Sequence, residues 1–242
     1  MRFELLPILD KMLELYKMPP NMERFNAYLK LLSGDSNNDL VTPVGAYNPM
    51  AKEHVTEKIN ELKALKAEQI ASQVLNELNT KISVKNNDIF KVVLCVSDDL
   101  KGGWTNRYTS DYDSKFKLNA LVTRNFCTPL FWTSENYSEE TVIERTKEYG
   151  YRTIYWLDHP KPITLEDHVK QEAFVAQKST SKKGSLSREL NLFYQTHKNS
   201  DTYLTIFNFL YGDKAMEALG NGPLGIKEDF SGFEFAKHLS NS

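Results

Sequence analysis

The chain has 242 residues, 40% apolar and 26% charged, and its 30 basic and 32 acidic side chains leave a net charge of −2. That composition is globular, with room for one large or two small domains. A balanced charge supplies neither the basic face that nucleic acid needs nor an attraction to anionic membranes, and no run reaches the roughly 18 apolar residues of a spanning helix, so neither partner is expected.

Leu5, Leu9, Met12, Leu13 and Tyr16 fall on one helical face, and Pro19-Pro20 stops that helix. Met22, Phe25, Leu29 and Leu32 repeat the pattern up to Gly34, a C-terminal cap. Asn48-Pro49 reads as a helix start, and no Gly or Pro follows from Met50 to about Thr80. The apolar stripe there shifts near Lys66, which leaves one bent helix or two shorter ones.

Ile89–Ser97 is rich in β-branched residues and apolar on both faces, as suits a central strand. Trp104, Tyr108 and Tyr112 alternate with polar residues, in an amphipathic strand or a surface excursion. Ala120–Thr133 reads as a strand interrupted at Pro129. Ser138 caps a helix, with Tyr137 and Val142 as its staple and Gly150 as its end. Tyr151–Leu157 then reads as a third strand. Thr164 and Asp167 form a capping box, and helices follow around Leu190, Phe207, the short Gly212–Gly220 interval and Ala236.

These elements predict an α/β or α+β class: a helix-rich single domain around a small mixed sheet, with an N-terminal helical layer. The layer spans 1–82 and the α/β core with its C-terminal helices spans 83–242. Charged residues interrupt Met1–Asp10, so no export signal is read there, and Cys95 and Cys127 sit in apolar, strand-like surroundings. Reduced thiols and a cytoplasmic location are the expectation.

The densest chemistry follows the central strand. Asp98 and Asp99 are candidate catalytic carboxylates, as a general base or a metal contact, because carboxylates at a strand end can be held close to a ligand. Gly102 and Gly103 would let backbone amides approach an anion, Trp104 would wall the site, and Asn106, Arg107, Arg124 and Asp158 complete the candidate ligand-binding set. The competing reading is a tight turn with a solvated acidic pair. Neither the phosphate-binding loop nor the dinucleotide fingerprint is present.

Three further constellations stand beside it. His159, His168 and Glu172 are a weak zinc alternative, since His168 and Glu172 are neighbours on a predicted helix. His54 and Glu57 stand three apart on the long helix and either face a cleft or are solvated. The stretch Thr42–Asn48 precedes a helix N-terminus, a weak anion site.

The functional expectation is a cytoplasmic enzyme or binding protein for a small anionic molecule, with no cofactor specified. The alternatives are a non-catalytic protein–protein interaction module, which allows a protein partner or a homo-oligomer, and a metal-dependent hydrolase.

Overall fold

The computed structural model describes residues 1–34, 39–82, 88–100 and 105–240. The chain is a helix-rich α/β protein with twelve helices and a small parallel sheet among the described residues. It divides into two compact units, Met1–Gly150 and Tyr151–Ser242.

The first unit opens with strand β1 (Arg2–Leu5), followed by α1 (Leu9–Lys17) and α2 (Met22–Ser33). The expected helical face began at Leu5, but Arg2–Leu5 is extended. Its side chains alternate between exposed and buried, with Phe3 inward, and Pro7 separates it from the helix. Helix α1 does end before Pro19-Pro20, and α2 closes on Gly34 at φ +59°.

The long Gly-free stretch is two helices, α3 (Glu53–Ala64) and α4 (Ala67–Lys81), parted at Lys66 with φ +55°. The shift of the apolar stripe at Lys66 marks that break. Asn48 does not cap α3, which starts at Glu53; its side chain instead accepts the Met50 amide at 2.8 Å in a turn of its own.

The predicted central strand is present as β2 (Ile89–Val92) and β3 (Cys95–Ser97). Strand β2 lies between β1 and β4 (Phe126–Cys127), and β3 pairs with β5 (Leu130–Trp132). Bridging bonds from Val93 to Cys127 and from Cys95 to Pro129 make these ladders continuations of the same two segments, interrupted at Pro129. All pairings among the described residues are parallel rather than mixed. Residues Val92–Val96 are fully buried, with α4 against β1 and α3 against β3. Between the strand pairs lie α5 (Arg107–Phe116) and the one-turn α6 (Asn119–Val122). Tyr108 and Tyr112 are therefore helical, not part of a strand. Asn106, whose side chain accepts the Thr109 amide at 3.1 Å, starts that helix.

The predicted strand Tyr151–Leu157 is helical: α7 runs unbroken over Glu139–Asp158. Gly150 is a contact glycine rather than a terminator, since a Cβ there would lie 2.8 Å from Leu78 Cδ1. The place in the sheet assigned to Tyr151–Leu157 is taken by β1 instead.

The second unit is helical: α8 (Leu165–Ser179), α9 (Arg188–His197), α10 (Tyr203–Tyr211), α11 (Asp213–Ala218) and α12 (Ser231–Leu239). The capping box of Thr164 and Asp167 is formed. Helix α12 packs against α8, α9 and α10, and Phe209, Phe235 and Tyr194 meet at its core with ring centroids 4.8–5.8 Å apart. Gly232 permits the crossing with α10, because a Cβ there would stand 2.7 Å from the Phe209 carbonyl oxygen.

Candidate functional site

A cleft of ≈ 670 Å³ opens in the first unit between the C-terminal end of α1, the Pro19-Pro20 turn and the first turn of α3. The volume lies in the range of about 300–1,000 Å³ usual for small-molecule sites. The local sequence makes this hollow. Pro19-Pro20 forbids α1 from continuing, Asn21 caps α2 through the amides of Glu23 and Arg24, and α3 begins after Lys52 without a side-chain cap.

His54 lines the cleft, with 14% of its side chain exposed. Behind it stands Asp98, one residue past β3, where open α/β sheets present ligand-contacting groups. His54 Nε2 and Asp98 Oδ1 are 2.8 Å apart. A carboxylate offers only acceptors, so Nε2 is the nitrogen that carries a proton towards Asp98, and Nδ1 is the one left to face the cleft chemistry. Asp98 is 2% exposed and accepts the Leu100 amide at 3.3 Å; the Thr133 hydroxyl also lies 3.3 Å from it, sharing its single proton with the nearer Asp99. The hydroxyl of Thr105 donates to the Asp98 carbonyl oxygen.

Arg24 also lines the cleft and is 3% exposed. Its Nη2 donates to the Ala51 carbonyl oxygen at 3.1 Å, and the guanidinium lies 5.5 Å from the Tyr16 ring centroid. Nε meets no acceptor, and Arg24 forms no ion pair among the described residues. An enclosed cation without a counter-charge is costly, and an anion in the cleft would offset that cost. The backbone amides of Glu53 and His54 meet no acceptor among the described residues either, and the α3 dipole adds to the attraction. Tyr16 donates to the Asn48 carbonyl oxygen at 2.9 Å; burial pushes its phenol up, reinforced by the neighbouring Tyr28, so it stays a neutral donor.

The other predicted residues go elsewhere. Asp99 and Arg107 meet each other at 3.0 Å. Asp99 also accepts from the Thr133 hydroxyl and from the Ser134 amide and hydroxyl, at 2.6–2.9 Å. Burial alone would raise the Asp99 carboxyl, but the hydrogen bonds from Ser134, Arg107 and Thr133 outweigh it and hold the group below the usual carboxylate range. Arg107 continues to Glu135 at 2.7 Å and lies over the Trp132 ring at 4.6 Å. Both side chains are thereby engaged in tying the strand ends together.

Arg124 pairs with Asp39 on the exposed surface, and Asp158 is the exposed last residue of α7. Gly102, Gly103 and Trp104 lie outside the described residues.

The zinc alternative is dispersed over other bonds. Glu172 holds Arg152 through two contacts of 2.7 and 2.8 Å, His168 Nδ1 sits 2.7 Å from the Thr164 carbonyl oxygen, and His159 stacks on Tyr155 at 4.1 Å. No cluster of metal-ligating side chains occurs among the described residues. Cys95 and Cys127 are both buried free thiols, and burial raises the Cys95 thiol far above its ordinary value.

Sequence reasoning named His54, Glu57 and Asp98, but in separate constellations, and it passed over Arg24 and Tyr16. Nothing in the helical pattern around Arg24 distinguishes it from a surface arginine. Only the hollow left by the Pro19-Pro20 stop gives it a role. No family model, curated protein or solved structure matches this chain.

Proposed function

We propose that the first unit is an enzyme for a small anionic molecule, which the cleft holds by its negative group while His54 transfers a proton. The observation that carries this reading is Arg24: a buried guanidinium with no acidic partner among the described residues, in the wall of the same cleft as a histidine backed by a carboxylate. Arg24 and the first amides of α3 bind the anion. His54 accepts or donates a proton at Nδ1, and Asp98 is its positioning residue, fixing the tautomer and balancing the charge when the ring is protonated. Buried free thiols at Cys95 and Cys127 support a reducing compartment such as the cytoplasm.

The test is calorimetric titration of inorganic phosphate and acetate into the wild type, Arg24→Gln and His54→Asn, with folding checked by circular dichroism. Wild type and His54→Asn are expected to bind at least one of the two anions. Folded Arg24→Gln should lose about tenfold or more in affinity, as expected for a desolvated charged contact. Equal affinity in wild type and folded Arg24→Gln, or no binding of either anion to the wild type, would overturn the assignment. If Arg24→Gln does not fold, protection of the amides of Glu53 and His54 from exchange by the anion decides the question, and unchanged exchange overturns it.

A further inference from the structure

The cleft offers more hydrogen-bond donors than a carboxylate uses. Arg24 commits only Nη2, to the Ala51 carbonyl oxygen, and its Nε is buried without an acceptor. The amides of Glu53 and His54 meet no acceptor among the described residues. Lys52, directly before them, lines the same cleft, is exposed and forms no ion pair among the described residues. A carboxylate carries one charge on two oxygens, whereas a phosphate monoester carries close to two charges on three. Two cations with two free amides match the second. Glu53 and Glu57 line the cleft too, and Lys17 is occupied by Glu14 at 2.6 Å. Both glutamates are exposed, so they can turn into water when an anion arrives, whereas the buried Arg24 cannot withdraw. The side of the cleft made by the end of α1 and the following turn differs in kind: Met18, Pro19 and Pro20 present hydrocarbon there, and ≈ 670 Å³ is more than a phosphoryl group fills.

We propose, resting on the anion-binding reading above, that the cleft selects phosphate monoesters of small organic alcohols and phenols over carboxylates. The phosphoryl oxygens go to Arg24, to the first amides of α3 and to Lys52, the second cation answering the second charge. The organic group goes to the wall of Met18, Pro19 and Pro20. A carboxylate leaves Lys52 unused, and inorganic phosphate leaves the apolar wall bare. His54 supplies one of the two amides while its ring lines the same cleft, so the proton-transferring group belongs to the turn that holds the phosphoryl group.

The experiment measures affinities at pH 8, where a phosphate monoester is doubly charged, for phenyl phosphate, phenyl sulfate, benzoate and inorganic phosphate. Phenyl sulfate keeps the tetrahedral shape and the ring but carries a single charge. Wild type and Lys52→Gln are compared, and position 52 is exposed, so folding is expected to survive. Wild type should bind phenyl phosphate about tenfold more tightly than phenyl sulfate or benzoate, and more tightly than inorganic phosphate. Lys52→Gln should cut the preference over phenyl sulfate by about threefold, as suits one exposed ion pair. Phenyl phosphate bound no more tightly than phenyl sulfate, benzoate or inorganic phosphate would overturn the phosphate-ester inference and leave the anion site standing. So would a preference that is undiminished in Lys52→Gln. Binding of none of these probes, acetate included, would overturn both.

Discussion

Asp99 and Arg107 look like catalytic groups in the sequence because they are oppositely charged and follow a strand. Folding uses that same property to close the strand ends. Arg107 leaves α5 to reach Asp99, Ser134 and Glu135, and Arg145 meets Glu135 from the other side at 3.0 Å. The Asp99 side chain is only 4% exposed. Removing its cation leaves a nearly buried carboxylate short of one donor, so Arg107→Ala is expected to destabilise the first unit by about 2–3 kcal/mol. Denaturant unfolding measures this, and a change within experimental error would contradict it. The pH dependence follows from the sign of the Asp99 shift. Its folded value is below the ordinary 3.8, so the contribution is complete above that pH and is lost as pH falls through the lower folded value. The gap between wild type and Arg107→Ala should therefore hold steady near neutrality and narrow only in strong acid. Asp98 has the opposite assignment: it supports His54, and its replacement by Asn is expected to disturb the imidazole more than the fold.

Elements were legible wherever their signals are local. Pro19-Pro20, Gly34, the shift at Lys66, the Ser138 cap and the Thr164–Asp167 box all mark real boundaries because each acts on residues within one turn. Elements held by distant partners were not legible. Helix α1 has no cap of its own, and Glu68 of α4 accepts the amides of Ile8 and Leu9 at 2.6 and 3.0 Å. Strand β1 is short, charged and at the sheet edge, so its four residues blend into the helical pattern that follows. Gly150 misled because glycine ends helices and also admits close neighbours, and only Leu78 decides between the two. On the free side of β1, Asn79 accepts the Phe3 amide at 2.7 Å and donates to the Phe3 carbonyl oxygen at 2.9 Å. That side-chain amide occupies the positions another strand would take and so blunts the edge. Asn79→Leu is expected to expose the edge and to produce concentration-dependent association, measurable by sedimentation. A variant that stays in the wild-type association state over the same concentrations would count against this role.

At the scale of the molecule, the two units differ in make-up. The second is a helical assembly in which Glu172 holds the buried Arg152 through two contacts. The first carries the parallel sheet, and its cleft joins groups from four segments: Tyr16 from α1, Arg24 from α2, His54 from α3 and, behind them, Asp98 after β3. Their positions in the chain span more than eighty residues, which is why no motif announced the site and why His54 and Asp98 were read apart. The central claim is that these groups act together on a bound anion. Imidazole nitrogen NMR of His54, recorded with and without acetate or inorganic phosphate, tests it most directly. The account expects a single Nε2-protonated tautomer in the free protein, and a ligand-induced change at Nδ1 that disappears in folded Arg24→Gln. A ring that averages freely between tautomers, with nitrogen signals indifferent to saturating ligand, would contradict it.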